Sequence, residues 1–178
     1  MNQKQVNSKL NDVIVKAKWH LGGANIFSES NYNIETIITK NWYKAERSPY
    51  ATSGTLQNLY SGNPKYVFAK VGLMYPSDYG YGVLASDCAR TIKAYNYFGT
   101  AACYKNNWLY QGSSTSQLLI TPDSSSAYFA FLVKTNGYVG YYSGDNVTNS
   151  GFFSPVMALK ADVEVTGSGT QSDPYVMN

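Results

Sequence analysis

The stretch Tyr128-Phe-Ala-Phe-Leu-Val-Lys-Thr-Asn-Gly-Tyr-Val-Gly-Tyr-Tyr142 decides what kind of fold this chain adopts. Aromatic and β-branched side chains flank Thr135-Asn136-Gly137, and Asn-Gly is the strongest short-range hairpin signal because its residues accept positive φ. Tyr128 to Lys134 and Tyr138 to Tyr142 are therefore expected to pair as antiparallel strands. Upstream, Gln117 to Thr121 reads as a further strand, closed by Pro122-Asp123. Downstream, Val156 to Lys160 and Val163 to Val165 are expected to close the sheet. A Gly/Ser-rich tail from Gly167 follows, ending in the apolar Tyr175-Val176-Met177.

Towards the N-terminus, Tyr66-Val-Phe-Ala-Lys-Val-Gly-Leu-Met-Tyr75 reads as one strand ended by Pro76. Ser86 or Asp87 can cap a helix running to about Tyr97, with Cys88 on its first turn. Trp108-Leu109-Tyr110 is a short strand in this reading. Val6 to Leu21 fits both helical and strand periodicity, and is read as a short helix giving way to a strand near Val13, ended by Gly22-Gly23. Between 24 and 65 periodicity is weak. Ile34 to Tyr43 suits a short helix, and Ser48 to Pro64 reads as loop. No repeat or linker divides the chain, so residues 1–178 are expected to form a single α+β domain. Its features would be a twisted, mostly antiparallel sheet, few short helices and long loops. Strand alternation nominates Trp19, Leu73, Trp108, Leu119, Phe131, Val133, Val156 and Leu159 as the main core.

Composition narrows the function classes. Only 14% of the 178 residues are charged, against roughly a quarter in an ordinary soluble domain. Aromatics reach 15%, with 17 Tyr against one His. A surface made soluble by hydroxyls and amides leans towards life outside the cell, a complete cytosolic protein being the alternative. The net charge of +3 comes from 14 basic and 11 acidic residues. No Lys/Arg block is present, so the electrostatic footprint of a nucleic-acid binder is missing. No apolar run approaches the roughly 20 residues that span a bilayer. Met1-Asn2-Gln3-Lys4-Gln5 leads into no apolar h-region. If the protein is exported, residues 1–12 are a helical remnant behind a removed leader or membrane anchor, its one link to a membrane.

Cys88 and Cys103 are the only cysteines and His20 the only histidine, too few soft or imidazole ligands for a zinc site. The cysteines lack the Cys-x-x-Cys spacing of a redox pair. A disulfide closing a surface loop is the better reading, with two buried free thiols as the alternative. His20 stands beside Trp19 in a strand-like stretch and reads as a surface or edge imidazole rather than a general base. Glu46-Arg47 reads as a solvated or structural pair. The carboxylates are dispersed, and Asp162 and Glu164, the closest pair, are expected on one exposed face of a strand. Neither a catalytic residue, a cofactor nor a metal site is expected.

Several motifs together resemble a family of secreted or pilin-like surface proteins from gut Firmicutes. They are Ala17-Lys18-Trp19-His20-Leu21-Gly22-Gly23, Lys70-Val-Gly-Leu-Met-Tyr-Pro-Ser-Asp-Tyr-Gly-Tyr81, Asn107-Trp108-Leu109 and Thr121-Pro122. Val133-Lys-Thr-Asn-Gly-Tyr-Val139, Ser154-Pro-Val-Met-Ala-Leu-Lys160 and Gly167-Ser-Gly-Thr-Gln-Ser-Asp-Pro-Tyr175 complete the pattern. The resemblance spans about residues 13 to 178. It implies a C-type-lectin-like domain of the formylglycine-generating-enzyme type, often set behind a prepilin-like leader. It also implies that Cys103, before Asn-Trp-Leu, pairs with Cys88. Ser154-Pro155 stands where relatives commonly carry Arg-Pro, so any ion pair made by that Arg is absent or rebuilt. The calcium-binding Glu-Pro-Asn or Gln-Pro-Asp loop of sugar-binding lectins is missing: Pro64 sits in Asn63-Pro64-Lys65 and Pro122 in Thr121-Pro122-Asp123. The copper-binding cysteines of the enzyme branch have no counterpart at the end of this chain.

What remains is a concentration of adaptable contact residues. Tyr138, Tyr141, Tyr142, Asp145, Asn146 and Asn149 fall in one late stretch, and Tyr95 and Tyr97 add to it, as does Tyr79-Gly80-Tyr81. Tyrosine supplies contact area at low entropy cost, while Ser, Gly and Asn supply flexible hydrogen bonds. Strand propensity alone explains many tyrosines, but not a run through a loop. The expected function is that of a surface-displayed, non-catalytic ligand-binding or adhesive domain, such as the head of a pilin-like protein. Its partner would be a glycan or a surface protein. Two alternatives stand beside this: a structural fibre subunit that meets other pilin-like subunits, and a variable receptor diversified by a retroelement.

Overall fold

A computed structural model describes residues 10–21, 64, 66–84, 86–88, 101–112, 114–122, 130–140 and 151–177. Mixed α and β structure is present, with short helices and several small, largely antiparallel sheets. The strands are β1 (Ile14–Val15), β2 (Ala17–His20), β3 (Tyr66–Ala69), β4 (Val71–Leu73), β5 (Gln117–Pro122), β6 (Ala130–Val133), β7 (Val139–Gly140), β8 (Pro155–Leu159), β9 (Val165–Thr166) and β10 (Val176–Met177). Two short helices, α1 (Pro76–Gly80) and α2 (Ala101–Lys105), join a helical turn over residues 10–13. That turn passes directly into β1, as the N-terminal pattern anticipates.

β2 and β3 pair antiparallel from Ala17↔Ala69 to His20↔Tyr66. Beyond Lys16 and Lys70 the two runs part, and β8 enters between them, giving the order β1-β8-β4. This fork explains why Tyr66 to Tyr75 is two strands and not one: its first half pairs with β2 and its second with β8. Lys70, at the fork, donates from its ammonium to the carbonyl of Asn11 in the helical turn at 3.1 Å. Trp19 is buried, donates from its indole to the Ala69 carbonyl at 3.0 Å, and lies flat on Gly72. A Cβ at position 72 would meet the indole at 2.5 Å, so only glycine admits this crossing.

The second sheet, β5-β6-β7, holds the hairpin that the sequence announces. Val133 faces Val139 and Leu132 faces Gly140. Gly137 donates to the Lys134 carbonyl at 2.8 Å and adopts φ 85°, the left-handed residue of a three-residue hairpin loop. Burial alternates along β5, so that Gln117, Leu119 and Thr121 turn inward against Phe131, Val133 and Val139. The two sheets are joined where Ile120 donates to the Met74 carbonyl at 2.9 Å and Leu118 to the Phe152 carbonyl at 2.8 Å.

Pro76 does more than end a strand. It begins α1, where a residue without an N–H leaves nothing unsatisfied. The Asp78 carboxylate accepts from the Tyr75 N–H at 2.9 Å, and Tyr79 points wholly into the core. Cys88 and Cys103 form a disulfide with their Cα atoms 5.1 Å apart, as expected. Ser86 to Cys88 is a turn, in which the N–H groups of Asp87 and Cys88 both donate to the Leu84 carbonyl and Ser86 bonds the Asp87 side chain. The rest of the helix expected from Ser86 or Asp87 lies outside the described residues, as do Gly22-Gly23, Ile34 to Tyr43, the loop before Pro64 and Glu46-Arg47.

Three further expectations are corrected. Trp108-Leu109-Tyr110 is a turn, because the buried Asn107 side chain accepts from Leu109 N–H at 3.0 Å and uses the backbone that a ladder would need. Trp108 is consequently 48% exposed and outside the core. Leu159 is 39% exposed because it stands three residues from Val156 on β8, and a strand shows opposite faces at odd separations. Val163 to Val165 does not close the main sheet. A turn from Lys160 to Val163 ends β8, and β9 pairs instead with β10 from the tail. Asp162 and Glu164 are exposed, but on this turn and its exit rather than on a strand.

Candidate functional site

The hairpin tip at 134–138 is gripped from three directions by tyrosines. Tyr79, inside the core, donates its hydroxyl to the Gly137 carbonyl at 3.0 Å. Tyr110 donates to the Thr135 carbonyl. Tyr104, on α2, sets its ring edge-to-face with Tyr138, centroids 4.6 Å apart, and their hydroxyls share a hydrogen bond of 3.4 Å. A Cβ on Gly137 would stand 2.8 Å from the Cβ of Tyr104, so the glycine is required both for its φ and for this approach. The tip is held as a fixed aromatic surface rather than as a loose loop.

Each part of the grip has a local cause. Cys103 is buried and bonded to Cys88, which anchors α2 one residue before Tyr104. Asn107 then turns the chain: its amide donates to the Tyr79 carbonyl at 2.7 Å, and Trp108 N–H donates to the Gly82 carbonyl at 3.0 Å. Gly82 has no Cβ because the Asn107 oxygen occupies that space. With the backbone pinned, Trp108 is left exposed, as is Tyr81 just before Gly82.

Electrostatics at the tip favour the neutral forms of both Tyr138 and Lys134. The hydrogen bond to Tyr104, helped by burial and by repulsion from a Tyr104 phenolate, holds Tyr138 above its ordinary value of 10.0, against the pull of Lys105. Burial lowers the pKa of Lys134 from 10.5, and its main chain pairs with Tyr138 at 2.7 Å. Asn106, Gln111 and Asn136 are exposed on the same segments, and the Asn136 side chain accepts from Tyr138 N–H at 3.3 Å.

Of the eight ligand-contact candidates, Tyr138 is described, and it stands half-buried in this cluster. Tyr95, Tyr97, Tyr141, Tyr142, Asp145, Asn146 and Asn149 lie outside the described residues. Tyr79 is no contact residue: it is 0% exposed, and its hydroxyl supports the tip from within. Tyr104, Tyr110 and Trp108 were not singled out from sequence as contact residues. The signals for them were adjacency to Cys103 and the Asn106-Asn107 doublet, which marks a turn.

A second exposed aromatic group lies on the β2-β3 pair, where the ammonium of Lys18 stands 4.1 Å from the Tyr66 ring centroid and Tyr66 meets Phe68 edge-on. His20 uses its backbone there, donating to and accepting from the Tyr75 hydroxyl at 2.7 and 3.0 Å. Among the described residues, no three His, Cys, Asp or Glu side chains gather as metal ligands, and no helix is long and apolar enough to cross a membrane. Compared with protein families, curated proteins and solved structures, the chain gives no significant match.

Proposed function

We propose that this chain is a non-catalytic, surface-displayed binding or adhesive domain of C-type-lectin-like type, acting outside the cell on a glycan or a surface protein. The observation that carries the reading is the Tyr104–Tyr138 pair: two half-buried rings, fixed by a disulfide-anchored helix and a glycine-dependent turn, with Trp108 exposed four residues after Tyr104. Fixed aromatics lose little entropy on binding, which is the property of an anchor residue. The disulfide and the low charge support an oxidising, extracellular setting. Neither cysteine is a thiol available as a nucleophile.

The test is a glycan array and a surface-protein pull-down with the wild-type chain, repeated with Tyr104→Ala, Tyr138→Ala and the pair Tyr141→Ala/Tyr142→Ala. Truncating a hot-spot aromatic costs at least about 2 kcal/mol of binding. Binding that survives all three changes places the contact surface elsewhere.

A second reading, a fibre subunit, is favoured by one separate feature. β9 and β10 expose Val165, Val176 and Met177 together with Tyr175, an apolar hairpin suited to a neighbouring subunit.

A further inference from the structure

The acidic residues of this chain are unevenly placed. Between Cys88 and Gly144 stands one carboxylate, Asp123, against Arg90, Lys93, Lys105 and Lys134, an excess equal to the formal +3 of the whole chain. This stretch supplies α2, the Asn107 turn and the β6-β7 hairpin, which together build the aromatic tip. The described parts that form the tip, residues 101–112 and 130–140, contain no Asp or Glu at all. Lys105 is exposed at the last position of α2, next to Tyr104, and acts electrostatically on the Tyr138 phenol across the pair. Lys134 stands half-buried at the start of the turn, where burial disfavours its charged form, so the exposed Lys105 carries the charge at the tip. Among the described residues that form the tip, positive charge, aromatic rings and exposed amides therefore occur together without a carboxylate.

Resting on the binding reading above, we infer that the ligand is an acidic saccharide, with its carboxylate at Lys105 and its ring against Tyr104 and Tyr138. A sugar ring has an apolar face that packs on an aromatic and hydroxyls that bond to amides such as Asn106, Gln111 and Asn136. Its carboxylate needs one cation at the edge of that platform. Nucleic acid fits poorly, since it demands a track of several phosphate contacts, and the lysines here are single and spaced. No metal is required, because a lysine does the work that calcium performs in sites built from carboxylates.

The experiment measures affinity for sialyllactose, an oligomer of glucuronic acid, and neutral lactose. It uses wild-type chain, Lys105→Gln, Tyr138→Ala and the control Lys160→Gln, each checked by thermal melting. Lys105 is exposed, so its replacement leaves the fold intact and keeps the test decisive even if Tyr138→Ala unfolds. At least one of the acidic sugars is expected to bind about tenfold or more tighter than lactose. Lys105→Gln removes that preference while Lys160→Gln keeps it, and raising salt from about 20 mM to about 300 mM weakens only the acidic ligand. Lactose bound as tightly as both acidic sugars, or a preference that persists in Lys105→Gln, overturns the acidic assignment and leaves the binding surface standing. Acidic-sugar binding untouched by a folded Tyr138→Ala overturns the site. If no sugar binds but a surface protein is captured through Tyr104 and Tyr138, this inference fails and the broader reading survives. Failure of every ligand ends both.

Discussion

Two tryptophans show how far the same side chain can differ in what it contributes. Trp19 is buried across Gly72, with its indole N–H satisfied by the Ala69 carbonyl. Trp108 has its backbone pinned by Gly82 and Asn107 but leaves 48% of its surface in water. Changing Trp19 to Ala removes packing that the rigid strands cannot refill, at a cost of about 3–5 kcal/mol. Trp108→Ala is expected to stay within about 0.5 kcal/mol of wild type, as surface changes do. Urea unfolding with an unchanged slope separates the two: the Trp19 variant shifts its midpoint strongly, the Trp108 variant hardly at all. Equal shifts would show that the tip depends on Trp108 for folding. The sequence marks both residues as large and apolar, and nothing local says which is covered. Trp19 is buried by a strand that arrives some 50 residues later, whereas Trp108 is turned outward by an Asn whose amide finds Tyr79.

At the scale of elements, the disulfide decides whether the tip is rigid. Cys88 and Cys103 tie α2 to the turn after α1, and Tyr104 follows directly. Opening the bond releases the chain between them, worth about 3 kcal/mol in the chain-entropy model. Reduction, or Cys88→Ser with Cys103→Ser, is therefore expected to lower the melting temperature and to weaken ligand binding more than the remaining folded fraction explains. Alkylation of native protein without reductant is expected to add no label. Two labelled thiols in folded protein contradict the bond. Binding that is unchanged in a folded, reduced chain removes the disulfide's role at the tip. The β6-β7 hairpin was legible because Asn136-Gly137 dictates its turn locally, and with it Tyr138. β5 and β8 were legible as short apolar runs bounded by polar and turn residues. The split of Tyr66 to Tyr75 was not, since it arises only where β8 enters the fork, a contact that no window around residue 70 contains. Tyr104 escaped notice for the same reason: its partner lies 34 residues away.

Among the described residues, packing is concentrated around β5, β6, α1 and the fork, and the C-terminal hairpin stands apart from these elements. β9 and β10 pack chiefly on each other. Their turn is organised from within: Ser168 N–H donates to the Asp173 carboxylate at 2.8 Å, and Gly167 and Gly169 take φ of 100° and 72°. The Tyr175 ring fills the place where a Cβ on Gly169 would stand. A lone two-stranded hairpin is marginal in water, so this one shields little of the core, and its loss should leave the rest folded. Removing residues 165–178 is expected to change unfolding stability by less than about 1 kcal/mol, since no residue of the buried core is deleted. The same deletion leaves sugar binding at the tip intact, because the tip is built wholly from residues before Gly140. Sedimentation at rising concentration then assigns the exposed apolar strands. If the full chain self-associates and the shortened one does not, the hairpin joins subunits, as the fibre reading requires. If both are monomeric at every concentration, that reading loses the feature that favours it. A shortened chain that fails to fold would show that β9 and β10 belong to the core after all.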